Sequence, residues 1–218
     1  GYDKDLSARL IKACQDKGIT FHFNEMFDRI VKRETGTFCV ELSNSGTLEA
    51  ETVMFATGRV PNTDGLGLSS VGAKLGKRGE VIVNDYSATT ASGIYAIGDA
   101  TDRIQLTPIA IREGQAFAES AFGGLDSKVD YSFVPSAVFS TSPVAAVGMT
   151  EEDALKNYTD VKVYISDFRP MKNSLLGVEE RSFYKMIVEA ATERVVGVHM
   201  IGPDCPEIMQ LAAVAVKA

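Results

Sequence analysis

Apolar residues recur at helical spacing between Asp3 and Lys17, where Leu6, Leu10, Ile11 and Cys14 share one face. Gly18 follows as a helix-ending glycine, and Ile19 to Phe23 reads as a strand. Phe38 to Leu42 alternates, Ser43-Asn-Ser-Gly46 is turn-like, and a second strand starts near Leu48, which predicts a β-meander appended to a doubly wound domain. Glu51 to Ala56 is an apolar run ending at Thr57-Gly58-Arg59, the pattern of a buried strand's end. Val60 to Gly67 reads as a loop, Val81 to Val83 as a short strand, and Ile94 to Ile97 as a buried strand. A helix is expected over Pro108 to Phe122, with Ile109, Ile111, Ala116, Phe117 and Ala121 as its apolar positions and Gly123-Gly124 as its end. Proline suits a first helical position, where its missing N–H would be unpaired anyway, and Thr107 is the expected N-cap.

A third part begins near Val134. Short strands are expected over 137–139 and 145–147, then a helix opened by Thr150-Glu-Glu-Asp153, which resembles a capping box. Val161 to Phe168, Phe183 to Ala190 and Val195 to Ile201 read as strands of an antiparallel sheet. Asp204 is the expected cap of a final helix carrying Ile208, Leu211, Ala212 and Ala215. Strands followed by a helix suggest an α+β unit. The fold class expected is therefore α/β: a doubly wound domain, then an α+β domain.

Composition narrows the partners. A net charge of −7 argues against nucleic acid and anionic membranes. The hydrophobic fraction of 45% is enough for a packed core. No apolar run reaches membrane-spanning length. Cys14, Cys39 and Cys205 are odd in number and widely spaced, which favours free thiols in a reducing compartment, the cytoplasm. All three read as small core or helix residues. His22 and His199 read as half-buried sheet residues, and no His/Cys cluster has metal-ligand spacing, so no metal is expected. Asp3, Asp5 and Glu151-Glu152-Asp153 read as helix-start or solvated acids.

The chemistry concentrates at Ile94-Tyr-Ala-Ile-Gly-Asp-Ala100, followed by Leu106-Thr107-Pro108 and a helix. Ligands of open α/β sheets sit at the carboxyl ends of strands. A helix amino terminus there offers unpaired N–H groups and partial positive charge. Asp99 can accept hydrogen bonds from hydroxyls, and Gly98 permits close approach. The pattern points to a polyhydroxylated, electron-rich cofactor.

These residues also resemble a family. Tyr95-Ala-Ile-Gly-Asp99 is similar to the second flavin motif of the flavoprotein pyridine nucleotide-disulfide oxidoreductases, and Ala56-Thr-Gly-Arg-Val-Pro-Asn62 to their Ala-Thr-Gly-Arg-x-Pro-Asn turn. Leu106-Thr107-Pro108, Phe168-Arg-Pro-Met-Lys-Asn173 and Gly202-Pro-Asp-Cys-Pro-Glu207 resemble the glutathione-reducing branch, whereas dihydrolipoamide dehydrogenases usually carry Leu-Ala-His at the first of these. The resemblance runs from end to end. It implies that residues 1–61 are the second part of an NAD(P)-binding domain, 62–132 the second part of an FAD-binding domain and 133–218 a dimerisation domain. It implies FAD and NADP as cofactors, a homodimer, and NADPH-dependent reduction of glutathione disulfide. Trypanothione and mercuric reduction are the alternatives within the family, and a non-catalytic dimerisation fragment is the alternative outside it.

By the resemblance, Asp99 holds a ribityl hydroxyl of FAD beside Gly98, and the helix start at Leu106 and Thr107 faces the flavin pyrimidine edge. Leu106 and Val138 offer backbone carbonyls to the nicotinamide, and Arg59 borders the pyridine nucleotide. Gln115 stands where some glutathione reductases have arginine near the glutathione carboxylate; Arg112 and Lys172 are the possible substitutes, with solvated roles expected. The family's Gly-rich turns, its Cys-x4-Cys pair and its His-Pro base do not occur in the sequence. No catalytic residue is therefore assigned, and the chain reads as the carboxyl-side portion of a longer enzyme.

Overall fold

The computed structural model describes residues 1–218, which divide into two compact units: residues 1–53 with 132–218, and residues 54–131.

In the first unit, helix α1 (Lys4–Asp16) starts where the Asp3 carboxylate accepts the Asp5 N–H at 3.0 Å. It ends at Lys17, and Gly18 follows with φ +87°. The meander forms an antiparallel sheet of β1 (Phe27–Lys32), β2 (Phe38–Leu42) and β3 (Gly46–Ala50). A five-stranded antiparallel sheet carries β4 (Ser136–Val138), β5 (Val144–Gly148), β6 (Val161–Phe168), β7 (Ser182–Glu189) and β8 (Val195–Ile201) in the order β4-β5-β8-β7-β6. Helix α3 (Glu151–Asn157) begins as expected, with the Thr150 hydroxyl accepting the Asp153 N–H at 3.1 Å. A short helix α4 (Met171–Leu176) and a final helix α5 (Cys205–Lys217) complete the unit.

Period-two alternation decides which helix each strand residue meets. On β8, Val198 and Met200 pack with Ala145, Val147 and the α5 residues Cys205, Met209 and Ala213. Ile201 points to the other face and packs with Val144, Phe183 and Leu6 of α1. Leu6 is fully buried. Lys185 and His199 are directly opposed on that same face.

An ion cluster secures α1 to this sheet. The Lys185 ammonium donates to both Asp3 oxygens at 2.9 and 3.1 Å and to Asp5 Oδ2 at 2.7 Å, and it lies 2.6 Å from Glu151 Oε2. Asp3 also accepts the Glu151 N–H. Lys185 and Asp3 are 2% and 3% exposed, so of the two readings of Asp3 the helix-start acid holds and the solvated acid does not. Burial alone would raise the Asp3 pKa, but the bond from Lys185 and the two amides outweigh it and hold the carboxyl below its ordinary value. Burial likewise opposes the Lys185 charge, and Asp5, Glu151 and Asp3 together raise its pKa.

The second unit contains helix α2 (Thr107–Ala121), two 3-10 turns (Leu68–Val71 and Gly98–Thr101), and the isolated bridges Leu75↔Val81, Val83↔Thr89 and Ala88↔Tyr95. The strands expected over 81–83 and 94–97 are thus single bridges, and no strand forms over 19–23 or 51–56. Tyr95 and Ile97 are 43% and 37% exposed. The apolar run 94–97 carries a strand's composition, but its bridge is to the adjacent segment around Ala88, and a ladder requires successive paired residues. No helix is long and apolar enough to cross a membrane.

Candidate functional site

The turn beginning at Gly98 is built by its contact with α2. Gly98 has φ +65°, a left-handed conformation that glycine adopts without strain. A side chain there would place its Cβ 3.1 Å from the Ala110 Cβ, so the backbone lies directly on the first turns of α2. One helical turn further on, a Cβ on Gly114 would meet Ile97 Cδ1 at 3.3 Å. Ala110, Glu113 and Gly114 share one face by their spacing, and that face is the bed of the turn.

Glu113 is a buried residue of this turn that the sequence reading did not single out. It is 1% exposed. Its Oε2 accepts the Gly98 N–H at 2.5 Å, and its Oε1 accepts the Tyr131 hydroxyl at 2.6 Å. Arg103 donates to the Tyr131 oxygen at 2.8 Å and to the carbonyls of Asn84 and Val83 at 2.7 and 3.3 Å. Burial, and then the bond to Glu113, push the Tyr131 phenol above its ordinary value, so it remains a donor. A signal was present: Glu113 sits four residues after Ile109 and three before Ala116, on the buried stripe of α2.

Asp99 follows Gly98 with its side chain about half exposed and lies 3.5 Å from the Arg59 guanidinium. Arg59 is paired with the predicted acceptor here, and its side chain is two-thirds exposed. The Thr101 hydroxyl donates to the Gly98 carbonyl at 2.8 Å and closes the turn. Leu106, in extended conformation, is the N-cap residue of α2 with no side-chain cap bond. Thr107 is the first helical residue and is exposed, a correction to its expected N-cap role, and Pro108 follows it. Pro108 lacks the N–H that would be unpaired in this first turn anyway. The Ile109 and Ala110 N–H groups both donate to the Leu106 carbonyl, at 3.0 and 3.1 Å, so no side chain caps this end and Thr107 carries its remaining N–H.

Val138 belongs to β4 in the other unit, where it is 42% exposed. The five remaining predicted residues, Arg59, Gly98, Asp99, Leu106 and Thr107, all lie in the unit of 54–131.

His22 is exposed outside any strand. His199 is fully buried on β8 with Nε2 2.8 Å from the Met149 carbonyl, and burial lowers its pKa. Asp204 occupies the N-cap position of α5 in a left-handed conformation that keeps its side chain off the helix amides; it pairs with Lys172 instead. Gln115 bonds Glu119 at 2.8 Å on the exposed side of α2, and Arg112 is exposed. All three cysteines are free. Cys14 and Cys205 are buried, whereas Cys39 is a half-buried strand residue, not a core or helix one.

Residues 1–114 match the family model described as pyridine nucleotide-disulphide oxidoreductase, and residues 134–218 match the model of that family's dimerisation domain. The chain is 45% identical to a chloroplastic/mitochondrial glutathione reductase of Pisum sativum, over 100% of this chain and 40% of that protein. It is 38% identical to a trypanothione reductase of Trypanosoma congolense, over 100% of this chain and 44% of the relative. A solved structure, a Cu(II) complex of a mutant of the HOCl-induced flavoprotein disulfide reductase from Escherichia coli, superposes with TM-score 0.90 at 28% identity, covering 97% of this chain and 48% of that one. The chain spans half or less of the length of these relatives.

Proposed function

The chain belongs to the pyridine nucleotide-disulphide oxidoreductase family, and from that premise we propose that it forms part of an NADPH-dependent flavoprotein that reduces glutathione disulfide. The observation that carries this reading is the Gly98–Asp99 turn seated on the first turns of α2, with a half-exposed carboxylate beside an uncapped helix start.

The donor and acceptor set fits FAD. Asp99 is an acceptor for a polyol hydroxyl. The Thr107 N–H and the positive end of α2 suit an electron-rich ring edge that gains negative charge, because a helix amino terminus carries partial positive charge. Leu106 and Thr107 sit at that terminus. The Arg59–Asp99 pair is exposed, so it contributes little stability and yields readily when ligands compete for either partner. Arg59 then becomes available to a phosphate or carboxamide edge of NADP, which its forked donors suit. Bound flavin supplies the electron transfer between nicotinamide and disulfide. Val138 is assigned to the nicotinamide side through its backbone carbonyl.

We assign residues 1–61 and 62–132 to the second parts of the NAD(P)-binding and FAD-binding domains, and 133–218 to the dimerisation domain of a homodimer. Three free thiols suit a reducing compartment such as the cytoplasm. Glutathione disulfide is favoured as substrate because identity to the glutathione reductase exceeds that to the trypanothione reductase, 45% against 38%. Exposed Met54, Ile111 and Phe122 (84%, 67% and 82%) count against a free-standing non-catalytic module, which would leave this apolar surface wet.

The test is NADPH oxidation by the full-length protein with glutathione disulfide and with trypanothione disulfide, alongside FAD titration of the apoprotein. Turnover with glutathione disulfide, and FAD affinity lost on Asp99→Ala, are expected. Faster turnover of trypanothione disulfide would reassign the substrate. A protein that binds no flavin would end the reading.

A further inference from the structure

We propose that Glu113 is a positioning residue of the cofactor site: its carboxylate fixes the Gly98 amide, and through it the direction in which Asp99 presents its side chain. This rests on the flavin reading of Asp99 given above, and it adds a residue that the motif itself does not contain.

The need for such a group follows from the backbone. The first N–H groups of a helical turn have no partner within it. The Gly98 N–H is such a group, at the head of the turn Gly98–Thr101, in a buried residue wedged on α2. A buried amide left unpaired carries a desolvation penalty. Glu113 accepts it at 2.5 Å from a helix that lies close along the same face, where a Cβ on Gly98 would come 3.1 Å from the Ala110 Cβ and one on Gly114 3.3 Å from Ile97 Cδ1.

The opposite need is met by the same atoms. A carboxyl group at 1% exposure is tolerated only when its oxygens are bonded. One oxygen takes the Gly98 amide and the other the Tyr131 hydroxyl. Tyr131 is held in turn by Arg103, whose further donors reach the carbonyls of Val83 and Asn84. The turn is thereby connected to the segments at 83–84 and 131, so its orientation is set by more than local chain stiffness. Asp99, by contrast, has only the exposed Arg59 pair of its own. Its direction depends on the residue before it.

The experiment uses the full-length protein stripped of FAD and compares wild type with Glu113→Gln, Glu113→Ala and Tyr131→Phe. Three quantities are read: FAD affinity, visible-region circular dichroism of bound flavin, and amide exchange at Gly98 in the apoprotein. Glutamine retains an oxygen for the Gly98 N–H, so Glu113→Gln is expected to stay within a few-fold of wild type in affinity. Glu113→Ala is expected to weaken FAD binding tenfold or more, to alter the flavin dichroism and to speed Gly98 exchange. Tyr131→Phe should fall between the two, which keeps the proposal testable if Glu113→Ala does not fold. Wild-type FAD affinity and dichroism in both Glu113→Ala and Tyr131→Phe would overturn the proposal, as would unchanged Gly98 exchange. A wild-type protein that binds no FAD would instead overturn the flavin reading, and Gly98 exchange would still report on Glu113.

Discussion

Replacing Lys185 with methionine removes one cation from a site where three carboxylates meet it. Methionine keeps an unbranched stem in a position that is 2% exposed, so packing is largely preserved and the change isolates the charge. Asp3 stays buried at 3% exposure and retains the amides of Asp5 and Glu151, but loses both bonds to the ammonium. Asp5 and Glu151 are only half-buried and recover water. Breaking a buried pair from one side costs about 3–5 kcal/mol. The residual amide bonds place this case near the lower end, about 3 kcal/mol. That is comparable to the roughly 1.5–3 kcal/mol contributed by burying Leu6, the apolar anchor of α1. The lost ion cluster should therefore loosen α1 specifically. Native-state amide exchange along Leu10 to Cys14 reads this opening directly. Asp3→Asn in the Lys185→Met background removes the stranded charge, so the double variant should be more stable than the sum of the single effects by at least about 1 kcal/mol. Additive effects, or α1 protection that falls by less than about 1 kcal/mol in Lys185→Met, would refute the reasoning.

The same cluster sets a pH window. Asp3 is depressed below the ordinary 3.8, so its contribution is complete above that value and is lost as pH falls through the lower folded one; Lys185 is raised above 10.5, so its contribution is complete below 10.5 and is lost as pH rises through the higher folded one. Exchange protection of α1 should thus fall below about pH 4 and above about pH 10 through this pair, while buried His199, opposite Lys185 with its pKa lowered, adds a separate loss that begins as pH drops below its ordinary 6.5; an α1 protection unchanged down to about pH 3 would contradict the Asp3 assignment. Gly197→Ala would put a Cβ 2.1 Å from the Met149 carbonyl oxygen on the backbone of the neighbouring segment. A loss of about 3 kcal/mol or more in urea unfolding is expected, and a loss below about 1 kcal/mol would mean the two segments separate easily. Burial pushes the Cys205 thiol up to about 11, and it donates to the Pro143 carbonyl at 3.0 Å. At pH 8 only about one thiol in a thousand is then ionised. A thiol reagent should label half-exposed Cys39 first and reach Cys205 only on unfolding; labelling of Cys205 at the Cys39 rate would refute its burial.

What the sequence determined by itself was local or chemical. α1 with its terminal Gly18, α3 with its Thr150 cap, and the limits of β6 and β8 follow from spacing and capping within a few residues of each position. The Gly98–Asp99 turn ahead of a proline-opened helix was legible because short-range backbone rules place a carboxylate there, and the family match over residues 1–114 and 134–218 agrees with the motifs read along the chain. Tertiary structure alone decided what each polar residue meets. Lys185 and Asp3 are 182 positions apart, and no periodicity links a strand lysine to a helix-start acid. Spacing puts Glu113 on the apolar stripe of α2, but the partners that make a buried carboxylate tolerable, Gly98 and Tyr131, come from 15 and 18 positions away. The apolar run 94–97 fails as a strand for the same reason in reverse: composition supplies the tendency, but a ladder exists only where another segment offers its backbone in register. Short-range sterics and capping are written along the chain. Burial of a charge, and the partner that compensates it, exist only once distant segments have been brought together.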